Sequence, residues 1–112
     1  MIARLWNGTV PAEKADSYGA FLAGFGVEDY RRYLGHLGAS LFRRDDGKVS
    51  HFVFLSYWKT QAALEAYAGP SFAKAHYYPY DLECLLNPSV LVEHFEVLAS
   101  TGSPSTDPAP KQ

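Results

Sequence analysis

The amino-acid sequence predicts one α+β domain built on a four-stranded antiparallel sheet. Three observations lead there. The period of the apolar residues switches between about 3.6 and 2 along the chain, as it does when helices alternate with strands. The segments so defined fall in the order β-α-β-β-α-β, the split βαβ or ferredoxin-like arrangement. Finally, 112 residues with 47% apolar and 15% aromatic content give room for a single substantial core and exclude disorder of the whole chain.

Residues 2–9 are rich in strand formers and reach Gly8, so they read as the first strand. Pro11 then stands where a first helical turn tolerates a missing N–H, and Glu13 suits the positive end of the helix dipole. Ala15, Tyr18, Leu22 and Phe25 follow at helical spacing. This amphipathic helix stops around Gly24 and Gly26, and residues 27–33 read as a further helical turn or two before Gly35.

Residues 36–58 form a β-hairpin, with Leu37, Ala39 and Leu41 alternating before the turn signal Asp45-Asp46-Gly47. Its second arm puts Val53, Leu55 and Tyr57 on one face and Phe52, Phe54 and Trp58 on the other, so both faces need cover. Two helical regions can cover one face. A second copy of the chain is the simplest supplier for the other.

Thr60 is a good N-cap for a second helix, which breaks at Gly69-Pro70. Ser71 caps a further helical turn through Phe72, Ala75 and His76. Tyr77-Tyr78-Pro79-Tyr80-Asp81 interrupts it, and residues 81–86 resume it briefly. Residues 90–98 return to strand composition. The domain is therefore expected over residues 1–98. Residues 99–112 are expected to be a disordered tail, with three prolines among the last twelve residues and no apolar period.

A formal charge of −2, with basic and acidic residues interspersed, offers no footprint for nucleic acid; Arg31-Arg32 and Arg43-Arg44 are too short to make a patch. A lone Cys84 forms no internal disulfide and lacks the Cys and His partners of a structural zinc site, so it reads as a small buried residue in a reducing compartment. No segment approaches the roughly 18 apolar residues that span a bilayer, and the N-terminus has no signal-peptide pattern. The expectation is a cytoplasmic protein with no membrane or nucleic-acid partner.

Several stretches resemble one family. They are Met1-Ile2-Ala3-Arg4-Leu5-Trp6, Val10-Pro11-Ala12-Glu13-Lys14-Ala15, Phe54-Leu55-Ser56-Tyr57-Trp58-Lys59-Thr60, Ala66-Tyr67-Ala68-Gly69, His76-Tyr77-Tyr78-Pro79 and Val92-Glu93-His94-Phe95-Glu96-Val97. Together they are similar to the antibiotic biosynthesis monooxygenase (ABM) family of the dimeric α+β barrel superfamily, over residues 1–98. The resemblance implies a homodimer in which two four-stranded sheets pack face to face, each subunit holding a pocket between its sheet and its helices. The same scaffold carries oxygenases, isomerases, haem proteins and domains without known chemistry, so the resemblance implies a fold before an activity.

Active members oxidise aromatic or haem-type substrates without flavin or a dedicated metal site. Such chemistry needs a base, a neutral donor and aromatic walls around a substrate that is already electron-rich. Asn7 is the candidate donor, although Asn7-Gly8 also reads as turn chemistry at a strand end. His76 is the candidate base or ligand, and also reads as a solvent-facing residue at a helix end. Tyr67 joins them because the haem-degrading branch places an Asn, a Trp and a His in this order; here Tyr67 stands at the Trp position.

Trp58, Tyr77, Tyr78, Phe54 and Phe72 are the expected substrate-binding residues. Trp58 equally closes a strand-to-helix corner by packing alone, and the tyrosine cluster equally suits a dimer interface. His51 and His94 read as structural. The leading expectation is thus a cofactor-independent monooxygenase-like homodimer acting on a small aromatic or polyketide-like substrate. The alternatives are a non-catalytic binder of a small aromatic or apolar ligand and, behind it, a haem-binding or haem-degrading protein. Catalysis requires a titratable group inside the cavity; binding alone leaves the histidines outside.

Overall fold

The structure is a computed structural model that describes residues 1–27 and 33–101. Its centre is an antiparallel sheet in the order β2-β3-β1-β4, made of β1 (Ile2–Pro11), β2 (His36–Asp46), β3 (Val49–Trp58) and β4 (Glu93–Glu96). Among the described residues three α-helices accompany it: α1 (Ala15–Phe21), α2 (Gln61–Ala68) and α3 (Pro79–Cys84). This is the expected ferredoxin-like α+β arrangement with one short helix added before the last strand.

Opposed residues of paired strands share a face. β1 and β3 pair as Ile2 with Trp58, Arg4 with Ser56, Trp6 with Phe54, Gly8 with Phe52 and Val10 with Ser50. The β3 members of these pairs are all buried, as are Arg4 and Val10. They lie under the helices. The alternate residues Leu5, Val53, Leu55 and Tyr57 stay half-buried on the uncovered face, where Phe42 and Phe95 are 51% and 50% exposed. The expected division of β3 into two apolar faces is therefore present, and the helices cover the Phe52, Phe54 and Trp58 side.

Two buried clusters fill the covered side. One gathers Val10, Ala15, Tyr18, Leu22, Phe52, Cys84 and Leu85; the other gathers Phe54, Trp58 and Leu64. Trp6 and Leu41 touch both. Their junction frames the site described below.

Local departures from expectation have local causes. β1 does not end at Gly8 but runs to Pro11, because β3 offers a partner at every position up to Val49. The first helix begins as a tight turn over Ala12–Lys14 and ends as a wider π-type turn over Leu22–Val27. The additional turns expected over residues 27–33 lie mostly outside the described residues, as does the expected tail from residue 102 onward. The hairpin turn at Gly47 and Lys48 is as expected, with Gly47 at a left-handed φ of +65°. α2 is capped by Thr60, whose Oγ1 accepts from Ala63 N at 3.1 Å, and it ends at Gly69 with φ +81°.

The helix expected through Phe72, Ala75 and His76 goes no further than one turn, in which Lys74 N donates to the Ser71 carbonyl at 2.9 Å. The chain then pairs with residues 90–92: Ala75 N donates to the Val90 carbonyl at 2.8 Å and Val92 N to the Ala73 carbonyl at 2.9 Å. The same pairing shortens the last strand, since residues 90–92 serve this local ladder and only Glu93–Glu96 join β1. Among the described residues no helix is long and apolar enough to cross a membrane.

Gly8 sits mid-strand because of what lies above it. A Cβ there would fall 2.6 Å from the Leu85 side chain and 2.7 Å from the Trp6 indole. Glycine lets the indole fold back over the strand. Gly8→Ala is expected to lower stability by about 1–3 kcal/mol through this overpacking, read as a lower urea midpoint with an unchanged m-value.

Candidate functional site

Between the sheet and the helices lies a cavity of about 120 Å³, walled by Trp6, Phe21, Leu22, Phe54, Tyr67 and Val92 and carrying the polar groups of Arg4, His76, Tyr77, Tyr78 and Asp81. Strand alternation explains how β1 contributes twice. Arg4 and Trp6 are two residues apart and leave the sheet on the same side.

Hydrogen bonds fix most of the wall. Trp6 Nε1 donates to Tyr77 Oη at 3.1 Å, and Tyr77 Oη donates to the Ser89 carbonyl at 2.6 Å. This relay ties the sheet to the 73–92 segment and sets the indole edge-on to the Tyr77 ring, with centroids 6.4 Å apart. Tyr67 is set differently. Its ring stacks on the fully buried Trp58 at 5.2 Å and meets Tyr33 edge-on at 4.8 Å.

Asp81 is the buried acid of the site. It is 5% exposed; Oδ1 accepts from Tyr18 Oη at 2.6 Å and Oδ2 from the Tyr78 backbone N at 2.7 Å. It stands in the first turn of α3 behind Pro79, where a carboxylate satisfies an otherwise orphan N–H. Burial first, and then donation to Asp81, push the Tyr18 phenol far above its ordinary range, so it remains a proton donor to the carboxylate.

On the opposite wall, Arg4 Nη1 donates to the Phe72 carbonyl at 2.6 Å and meets His94 Nε2 at 3.1 Å. Burial, aided by the Arg4 charge, holds the His94 imidazole below its usual range.

The expected site residues divide. Phe54, Tyr67, His76, Tyr77 and Tyr78 all line the cavity, with His76 and Tyr78 exposed at its mouth. Trp58 does not: it is fully buried behind Tyr67, its Nε1 bonded to Ser56 Oγ at 3.0 Å, and it acts through packing. Phe72 also stands behind the wall, against the Trp58 cluster and edge-on to His94 at 5.3 Å. Asn7 lies elsewhere. It pairs with Val53 on the uncovered face and is exposed there, because the strand carries it out of phase with Arg4 and Trp6.

Arg4, Trp6 and Asp81 are the residues that reading the sequence missed. Period-2 counting back from Val10 would have found the first two. Asp81 gave no such signal, since an acidic residue after proline reads as an ordinary helix start. His51, on the uncovered face, is held by Thr9 Oγ1 at 2.9 Å from its Nδ1 and lies away from the cavity.

Solved structures share this architecture. The haem degrader MhuD from Mycobacterium tuberculosis, solved with two haems bound in its active site, is 24% identical with a TM-score of 0.62, covering 91% of this chain and 100% of its own. An antibiotic biosynthesis monooxygenase structure is 19% identical with a TM-score of 0.62, covering 88% and 100%. The chain has the ABM fold. A Bacillus cereus protein described as a possible antibiotic biosynthesis monooxygenase extends that likeness over 99% of this chain and 98% of its own, at 15% identity and a TM-score of 0.61. No family model and no curated protein matches the sequence. At these identities the ABM fold is what is shared, and the site must speak for its own chemistry.

The Tyr18–Asp81 pair has a pH signature. Because the folded chain retains the Tyr18 proton well above the ordinary phenol value of 10.0, its contribution to stability is complete below pH 10 and declines as the unfolded chain ionises above it. Urea midpoints measured between about pH 9 and pH 11 should fall in the parent and fall less steeply in Tyr18→Phe.

Proposed function

We propose that the cavity binds a small hydroxylated aromatic compound and supports its oxygenation by O2 without a bound flavin or metal. The observation that carries this reading is a buried carboxylate, Asp81, set in a cavity whose other walls are mostly aromatic. Ring walls hold a flat substrate and exclude water, while an enclosed acceptor receives a hydroxyl proton and leaves an electron-rich anion. Oxygen then adds at the activated ring carbon. One oxygen atom becomes the new carbonyl, the other leaves as water with the two hydrogens lost from the substrate, and the substrate itself is the reductant.

In this reading Asp81 takes the proton, Tyr18 holds Asp81 in place, and His76 at the solvent edge passes the proton outward. Trp6 and Tyr67 orient the ring. Asn7 has no part in it.

Haem is poorly served by the same cavity. A volume of about 120 Å³ suits a single ring rather than a macrocycle, and His76, the cavity-lining histidine, is exposed at the mouth. Ligand binding without turnover is the second reading, favoured by that same exposure of His76. Oxygen-electrode assays with anthrone-like and dihydroxyaromatic compounds separate the two. Substrate-dependent uptake is expected, falling on the order of 100-fold or more in Asp81→Asn that retains its near-UV circular dichroism. Binding of the panel with no uptake in the parent would leave the binding module.

The reading includes a homodimer. Leu5, Phe42, Val53, Leu55, Tyr57 and Phe95 form an apolar face that the subunit's own helices leave uncovered, and the same face of a second copy matches it by symmetry. Sedimentation equilibrium should give twice the 12.4 kDa chain mass for the parent, and Leu55→Asp should shift it to the single mass.

A further inference from the structure

Arg4 brings a permanent positive charge to a place where the described residues supply no opposite one. It is 6% exposed and forms part of the cavity wall. Its Nη1 donates to a neutral carbonyl, that of Phe72, and meets Nε2 of His94. The histidine is neutral too. A guanidinium has no lone pair to offer, so Nε2 must be the acceptor and the ring proton sits on Nδ1; the depressed proton affinity of His94 agrees.

Among the described residues no carboxylate comes within ion-pair distance of Arg4. Nε and Nη2 make no hydrogen bond to any of them. The acid that shares the cavity, Asp81, forms no ion pair with Arg4; each of its oxygens accepts one hydrogen bond, from Tyr18 and from the Tyr78 backbone, and keeps a lone pair for a further donor. The unused N–H groups are not sealed in the core, since Arg4 forms part of the cavity wall, and the three of them form a fork suited to a planar anion.

We propose that Arg4 receives the carboxylate of the ligand, and that the ligand class is a single-ring aromatic carboxylate bearing a hydroxyl group. The inference rests on the aromatic-pocket reading above and narrows it. Size limits the guest to one ring: a closed apolar cavity of about 150 Å³ holds benzene, and this one measures about 120 Å³ and is open to solvent at the mouth, where ring substituents have room. Charge supports the rest. Arg4 takes the anionic head, Trp6, Phe54 and Tyr67 flank the ring, and the acceptor-only Asp81 takes the hydroxyl donor. Arg4 is then the residue that sets specificity, selecting acids over neutral phenols of the same shape.

Calorimetric titration at pH 7 with 4-hydroxybenzoate, 4-hydroxybenzyl alcohol and 4-methoxybenzoate tests this. The hydroxy acid is expected to bind on the order of 10–100-fold more tightly than the alcohol, the value of one charge-assisted hydrogen-bond pair. The methoxy acid, which offers Asp81 no donor, is expected to be weaker than the hydroxy acid. In Arg4→Met the preference for acid over alcohol should vanish while alcohol affinity persists, and Arg4→Lys should restore part of it. Should Arg4→Met not fold, the parent's own ratio of acid to alcohol still decides. Equal or tighter binding of the alcohol by the parent overturns the role of Arg4 and leaves the aromatic pocket standing. Failure of all three compounds to bind overturns both.

Discussion

The register of β1 against β3 is the constraint from which the rest follows. Ten consecutive pairings, Ile2 with Trp58 through Pro11 with Val49, fix which side chains go under the helices and which stay outside. With β3 held in place, a slip of β1 by one position would exchange Arg4 and Trp6 for Leu5 and Asn7 and leave the cavity without its charge. The register is held by burial on the helix side, where Val10, Phe52 and Trp58 are essentially inaccessible to solvent. A single strand therefore serves two roles at once. Its one side walls the cavity, and its other side is an apolar surface that the subunit's own helices leave uncovered.

Much of the fold was legible in the sequence because it depends on periodicity, which is local. The hairpin, both sheet faces, the Thr60 cap and the Gly69-Pro70 stop are all statements about nearby residues, and the structure shows each of them. What was illegible depends on partners far along the chain. Residues 74–76 have helical composition but leave the helix after one turn because residues 90–92 offer backbone groups to pair with. Nothing in Phe72-Ala73-Lys74-Ala75-His76 announces that.

The site was legible in proportion. Tyr67, His76, Tyr77 and Tyr78 come from segments whose proximity the fold itself implies, and they do meet at one cavity. Asn7 was misplaced because strand phase was left open, whereas counting from the buried Val10 gives Arg4 and Trp6 without further information. Asp81 was invisible for another reason. Its significance lies in Tyr18, sixty-three residues earlier, whose hydroxyl reaches it across the core.

The stacking of Tyr67 on Trp58 couples shape to stability. One face of the tyrosine is pressed against a ring that the core cannot spare, while another part borders the cavity. The outline of the cavity and thermal robustness are therefore drawn from one pair of side chains. Reshaping this wall uncovers the core, whereas the exposed Tyr78 ring at the rim can change without that cost.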